Sequence, residues 1–467
     1  MNQDLLKKIP SITELLAAAQ AAAWLQTHPR KLVADCIRQA VDDLRAQILS
    51  DTAGRCGGMH VEAEYILSQA GLLLADRTAF HLRPAINATG VLLHTGLGRS
   101  VLPGCVLESM LDDLRGYVTL AVDRETGERS ERDQRVEYIL TELTGAEAAT
   151  IANNNAAATL MVLSALAAER ETVVSRGQLI EIGGAFRLPD VMSQSRTKMV
   201  EVGTTNRTHL RDYERAITEN TAVLLRVHPS NFRVTGFTAE VALTDMVELA
   251  HSRNLICVDD LGAGALVGLE QFGLPHEPTV QESIAAGADV VLFSADKLIG
   301  GPQGGIIVGK KKCIEKINKH PLARACRPDK IGVMVLERTL HLFRDEALLR
   351  REHPLYRMLS MPIEALESRA RTLAERICAA APTAKTTAAQ GTGYLGSGSL
   401  PTEQLPSWTV GLELPNIKAA ELARRLRMDQ HAVFARIEDE KVIFDARTIT
   451  DAQVEQIAAA VGRAAKT

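Results

Sequence analysis

The chain is 467 residues long, 46% hydrophobic and 24% charged, with a formal net charge of −4. That length and balance read as an ordinary soluble protein of about two to four domains, and they lack the strongly basic excess by which nucleic-acid binders neutralise phosphates. Its seven cysteines, Cys36, Cys56, Cys105, Cys257, Cys313, Cys326 and Cys378, are scattered and form no CxxC pair or Cys/His cluster of metal-ligand spacing, so no metal is expected and a reducing cytoplasm suits them.

Leu15 to Leu25, after Lys7-Lys8, has the outline of a secretory h-region. Pro10, Glu14 and Gln20 interrupt the segment and no small-residue cleavage site follows, so an ordinary helix is expected. Apolar residues then recur at three- and four-residue steps through Leu32, Cys36, Val41, Leu44 and Ile48, and again from Val61 to Leu74, either side of a Gly-rich break around Thr52 to Met59. This periodicity predicts helices and no strands. Residues 1–82 are read as a helical N-terminal domain, with Arg83-Pro84 marking its boundary. No stretch approaches the ~18 to 20 consecutive apolar residues of a membrane span.

Between about residues 145 and 310, short β-rich runs alternate with helical segments: Ala149–Ala152, Thr172–Ser175, Met199–Val202, Ala222–Val227, Leu255–Val258, Asp289–Phe293 and Ile306–Val308. Such alternation predicts an α/β fold, a mainly parallel sheet covered by helices on both faces, with ligands outside the carboxyl ends of the strands. Residues 83–345 are assigned to this large domain. Residues 346–467 open on a charged helical stretch, hold a Gly/Ser loop at Gly391–Pro401, and read as a smaller α+β domain.

The run Phe293-Ser294-Ala295-Asp296-Lys297, followed by Gly300-Gly301-Pro302-Gln303-Gly304-Gly305, sets a lysine at the carboxyl end of a strand. A pyridoxal 5'-phosphate (PLP) enzyme needs such a lysine: its amine forms a Schiff base with the cofactor and, once displaced by substrate, shuttles the α-proton. The bland alternative is a surface lysine beside a loop. Gly304 to Lys310 also fits the GxxxxGK pattern of a phosphate loop, but Lys311 stands where Ser or Thr would bind magnesium. The preceding strand ends in Asp259-Asp260-Leu261-Gly262-Ala263-Gly264, which brings carboxylates to the same sheet edge. PLP requires one to keep its pyridine nitrogen protonated, and Asp260 is the candidate. Asn153-Asn154-Asn155 open an alanine-rich helix; a cap needs one Asn, and three suggest an anion site for the cofactor phosphate, with Asn154 and Asn155 as candidates. Asn231, in His228-Pro229-Ser230-Asn231, is the candidate partner of the ring hydroxyl.

Longer strings then carry a likeness: INATGVLLHTGLGRS (Ile86 to Ser100), NNNAAA (Asn153 to Ala158), EIGGAFRLPDVM (Glu181 to Met192), EVGTTNRTHLRDYE (Glu201 to Glu214), FSADKLIGGPQGGIIVGKK (Phe293 to Lys311), HPLARACRPDK (His320 to Lys330) and GSGSLP from Gly396. By these the chain resembles, over essentially its whole length, the bacterial selenocysteine synthases, the L-seryl-tRNA(Sec) selenium transferases. The resemblance implies a fold-type I, aspartate-aminotransferase-like PLP core, an N-terminal helical domain that recognises tRNA(Sec), and a ring-shaped homodecamer built from dimers. It also implies the reaction: the seryl amine displaces Lys297, loss of the α-proton and hydroxyl gives an aminoacrylyl intermediate, and selenophosphate supplies selenium. Arg99, Arg324 and Arg327 would bind that selenium donor. Guanidinium forks suit such an anion, and Arg324 and Arg327 share a face if their segment is helical.

Some positions depart from the family pattern: Gly96 where Asn is usual, Ala295 for Gly, Ala263 and Ala265 for Ser, extra acids in Gly127 to Arg132, and Cys326 and Pro328 for aliphatic residues. None removes a lysine, aspartate or arginine named above. The alternatives are a PLP lyase acting on a free amino acid or amino-sugar acid, against which the N-terminal domain argues, and a tRNA-binding protein with a vestigial site, against which the intact site set argues. Residues 1–82 hold eight Lys/Arg against nine Asp/Glu, so tRNA binding there is implied by the resemblance and not by charge. Lys7, Lys8, Arg30, Lys31, Arg38 and Arg45 are available for a locally basic face. Neither DNA nor a membrane is expected as a partner.

Overall fold

The computed structural model describes residues 5–466 apart from 51–60, 81, 131–133, 185, 397 and 401. The Gly-rich break with Cys56, Glu131 and Arg132, and Ser397 and Pro401 of the GSGSLP string lie outside the described residues. The chain divides into two compact units, Met1–Pro84 and Ala85–Thr467.

The first unit is helical, with helices Ile12–Ala17, Ala19–Thr27, Arg30–Ser50 and Ala63–Thr78. Ser11 and Glu14 start it with a reciprocal capping box. Of the apolar stripe read from the sequence, Cys36, Val41, Leu44 and Ile48 are buried and Leu32 is half-buried; with Val33 and Ile37, which the stripe left out, they pack against Ile66, Leu67 and Leu74 in a single core. No helix among the described residues is long and apolar enough to cross a membrane.

The second unit carries the strands β1 (Ile86–Ala88), β2 (Ala148–Ala152), β3 (Glu171–Ser175), β4 (Glu181–Ile182), β5 (Phe186–Arg187), β6 (Lys198–Val202), β7 (Thr221–Val227), β8 (Ile256–Gly262), β9 (Val290–Ser294), β10 (Gly305–Gly309), β11 (Lys385–Tyr394), β12 (Gln404–Glu413), β13 (Val433–Glu438) and β14 (Lys441–Asp445). The β-rich runs seen in the sequence form one seven-stranded sheet in the order β2-β10-β9-β8-β7-β3-β6. Pairing is parallel from β9 through β8, β7 and β3 to β6, while β10 runs antiparallel to both β9 and β2. The stretch between Ser294 and Gly305 has no crossover helix that would return the chain parallel, and it is this turn that carries Lys297. Strands β2, β3, β9 and β10 are buried throughout, as a sheet covered on both faces requires.

A second sheet has the order β1-β13-β14-β12-β11 and its own core around Val410, Phe444, Val433 and Ile457. Strand β1 pairs parallel with β13, so residues 86–88, assigned from sequence to the large domain, belong to this sheet. The loop expected from Gly391 starts later, because β11 pairs with β12 through Gly391 and Gly393 as far as Tyr394.

Candidate active site

The site forms where β7, β8 and β9 end. Lys297 sits in the turn after β9, only 5% exposed. Burial lowers the pKa of its amine, against the pull of Asp260 and with the help of Arg99. The neutral, nucleophilic form of the amine is thereby favoured.

Asp260 lies within β8, and the pairing with β9 shifts register just after it. Its carboxylate accepts from Asn155 Nδ2 at 3.0 Å, Thr159 Oγ1 at 3.2 Å and the Gly262 N–H at 3.1 Å. Burial pushes this carboxyl up, while the three donors and Lys297 oppose the rise. A cation placed against it would hold it ionised.

The asparagines take different parts from those expected. Asn154 caps the helix Asn155–Ala167, its side chain accepting from the Ala157 N–H, and Asn155 braces Asp260. An anion at this helix start would therefore meet backbone N–H groups and the helix dipole, because both side chains bond within the protein. Asn231 donates Nδ2 to the Glu181 carbonyl at 2.9 Å. Its Oδ1, Asn155 Oδ1 and Ser230 Oγ are buried with no partner among the described residues.

Gly398, from the β11–β12 loop, closes the crevice on the lysine side. A Cβ there would stand 3.2 Å from Lys297 Nζ and 3.5 Å from Ser230 Oγ, at a backbone φ of +70°. Only glycine fits that approach. The sequence showed this loop solely as the string GSGSLP, with nothing to bring it across to the lysine. Thr159 was also missed; its signal, a hydroxyl one turn after Asn155, is weak.

The three candidate arginines do not converge within the chain. Arg99, held at φ 62°, pairs with Asp296 at 2.5 Å, beside Lys297. Arg324 and Arg327 line a cavity of about 410 Å³ together with Arg129, Ser130, Asn318 and Thr150, and Arg99 is not among its lining residues. The helix Pro321–Ala325 ends before Arg327, so the two share a cavity wall without sharing a helix face. Arg129 belongs to the Gly127 to Arg132 segment, which the sequence marked only as a departure.

Fit to PLP is tested by the orphaned polar atoms. A ring hydroxyl would satisfy Asn231 Oδ1 or Ser230 Oγ, a protonated ring nitrogen suits the thrice-bonded Asp260, and a phosphate suits a helix N-terminus. The residues present fit the group. Fold and site together define a fold-type I PLP-dependent enzyme; a solved structure of D-glucosaminate-6-phosphate ammonia-lyase matches 82% of this chain and 96% of its own with a TM-score of 0.57 at 21% identity, a likeness of fold alone. The L-seryl-tRNA selenium transferase family matches residues 85–450, and the selenocysteine synthase N-terminal domain matches residues 6–45. The chain is 45% identical to an L-seryl-tRNA(Sec) selenium transferase of Geobacter metallireducens, over 98% of both chains, and 42% identical to one of Alkaliphilus metalliredigens, over 100% of both. It belongs to the L-seryl-tRNA selenium transferase family, whose cofactor is PLP.

Proposed function

We propose that the chain converts L-seryl-tRNA(Sec) to L-selenocysteinyl-tRNA(Sec) with selenophosphate as selenium donor, acting in the cytoplasm as a homo-oligomer, a ring of dimers making a decamer. The observation that carries this reading is Lys297 and Asp260 at adjacent strand ends, in a chain matched along its length by named selenium transferases. When bound, PLP withdraws the electron pair left at the seryl α-carbon. Lys297 Nζ, its pKa lowered by burial, would bind the cofactor, then take the α-proton and return a proton to the departing β-hydroxyl. Asp260, oriented by Asn155 and Thr159, holds the ring-nitrogen proton. Asn231 orients the ring hydroxyl, and the helix start at Asn154 and Asn155 receives the phosphate.

Arg324 and Arg327, with Arg129 on the same cavity wall, hold selenophosphate oxygens by paired charge-assisted bonds. Arg99 sits closer to the reacting amine, where its pairing with Asp296 steadies the lysine turn until the anion arrives. Residues 1–82 recognise the tRNA, residues 83–345 form the PLP domain and residues 346–467 the small domain. Association between copies is supported by Tyr117, Leu107 and Leu111, which are exposed apolar side chains.

The test incubates purified protein with seryl-tRNA(Sec), free serine and selenophosphate, separately and together, and looks for selenium attached to tRNA. Label appearing only with seryl-tRNA(Sec) plus selenophosphate is expected. Turnover of free serine to a selenium-containing amino acid would instead make the protein a small-molecule enzyme.

A further inference from the structure

Lys297 stands in a turn that is gripped from several sides. Its own carbonyl accepts from the Gly300 N–H at 3.0 Å, and the Gly301 N–H reaches the Ala295 carbonyl at 2.8 Å. Arg99 pairs with the neighbouring Asp296. The carbonyls of the next two residues are taken by side chains from a distant stretch: Tyr356 Oη donates to Leu298 O at 2.9 Å, and His353 Nε2 meets Ile299 O at 3.0 Å. A carbonyl only accepts, so Nε2 carries the hydrogen; Nδ1 is buried without a partner among the described residues, which disfavours a second proton there and leaves the imidazole neutral. Both side chains are 0% exposed. They meet edge to face at 5.1 Å between ring centroids, and Phe343 packs edge-on against Tyr356 at 5.6 Å. Gly300, at φ +65°, lets the imidazole in, since a Cβ there would overlap the ring and press on Ser100 Oγ.

We propose that His353 and Tyr356 are positioning residues for Lys297. Their rigid aromatic platform holds the two peptide carbonyls that follow the lysine, and so fixes the direction from which its amine enters the crevice. Neither residue touches the reacting atoms. The backbone of a glycine-rich turn has many accessible conformations, and two buried side-chain bonds remove most of that freedom where it would otherwise blur the lysine's geometry. The inference rests on Lys297 being the cofactor lysine.

The experiment uses the full-length PLP-loaded protein and the variants Tyr356→Phe, His353→Phe and His353→Gln. Three quantities are read: the pH midpoint of the visible cofactor band, kcat and KM for seryl-tRNA(Sec), and the melting temperature. Tyr356→Phe keeps the ring and loses one bond, so kcat should fall about three- to tenfold with KM within about twofold, as for one net hydrogen bond. The band's midpoint should move by about 0.3 pH unit or more. His353→Phe should do the same or more, and His353→Gln, whose amide nitrogen reaches the place of Nε2, should recover most of the loss. If His353→Phe does not fold, Tyr356→Phe decides alone. A lower melting temperature with kcat and midpoint unchanged overturns the proposal, as does a Gln variant no better than Phe. Lys297→Ala separates the two readings: a surviving covalent cofactor band overturns both the lysine assignment and the clamp, whereas a lost band beside unaffected clamp variants overturns the clamp alone.

Discussion

Lys297 and Arg327 are both basic side chains with a part in the proposed reaction, yet the chain treats them in opposite ways. The lysine is buried at a strand end with Asp260 nearby, and its charge is suppressed by desolvation. The arginine lies on a cavity wall with Arg324 and Arg129, all three exposed. The cost of stripping water from Asp260 is offset when the chain folds by Asn155, Thr159 and the Gly262 N–H. The arginine cavity instead sets its guanidinium groups along an exposed wall. Changes in the crevice should therefore strike the chemical step and respond to pH, and changes in the cavity should strike affinity for the anion and respond to salt.

The sharpest break in that comparison is Lys297→Ala. Losing the group that binds the cofactor and moves the α-proton should lower turnover by about 10³-fold or more, and borohydride should fix cofactor to the wild type only. Covalent labelling of the variant would move the anchor to another lysine. On the cavity side, Arg327→Ala should leave loss of the serine hydroxyl in place while selenocysteinyl-tRNA fails to accumulate. One charge-assisted contact of about 1.5 to 3 kcal/mol corresponds to roughly 10- to 150-fold in selenophosphate affinity. Arg327→Lys should stay impaired through lost bidentate geometry. Raising salt should weaken selenophosphate binding more than cofactor binding; equal sensitivity would erase the distinction between the regions.

A finer cut lies inside the crevice. Thr159→Val keeps the shape of a fully buried side chain and removes one donor from Asp260 Oδ2. With one brace gone, burial pushes the carboxyl further toward its neutral form. PLP affinity should drop about fivefold, measured by cofactor titration of apoprotein, and selenophosphate affinity should not change. An equal loss of both would mean that crevice and cavity are coupled.

What could be read from sequence follows the same divide. Lys297 and Asp260 were visible because each follows or ends a β-rich run, and in a mainly parallel sheet a strand's carboxyl end is a fixed address. The cavity was not, since Arg324, Arg327 and Arg129 meet through tertiary packing around β2, and no local period links residue 129 to residue 324. The asparagine run points to a helix start without assigning its side chains, because a helix cap and a phosphate site share one sequence signature; that Asn154 caps and Asn155 bonds Asp260, leaving the backbone N–H groups for the proposed phosphate, is visible only in the structure. Strand β1 is three residues long and pairs with a strand late in the chain, so its sheet is decided by long-range register. Gly398 reaches Lys297 for the same reason.

A further expected effect is on stability in mild acid, and it isolates the buried side of the comparison. Burial drops His353 from its ordinary 6.5 to about 4. Between those values the unfolded chain binds a proton that the native chain refuses, so stability falls as pH drops from about 6.5 toward about 4, by at most ~1.4 kcal/mol per pH unit. Asp260 works in the opposite sense. Its carboxyl is raised above its ordinary 3.8, so above that value the native chain holds a proton longer than the unfolded chain does, which offsets part of the loss. Wild type alone would therefore blur the two. His353→Gln removes the imidazole and leaves Asp260 in place, so the difference between the two proteins reports His353. Urea unfolding of apoprotein at pH 7 and pH 5 should show wild type losing about 2 kcal/mol more than His353→Gln across that interval. Parallel losses in the two proteins would mean that His353 reaches water or gains a proton in the native state, and the buried, neutral imidazole beneath the lysine turn would have to be abandoned.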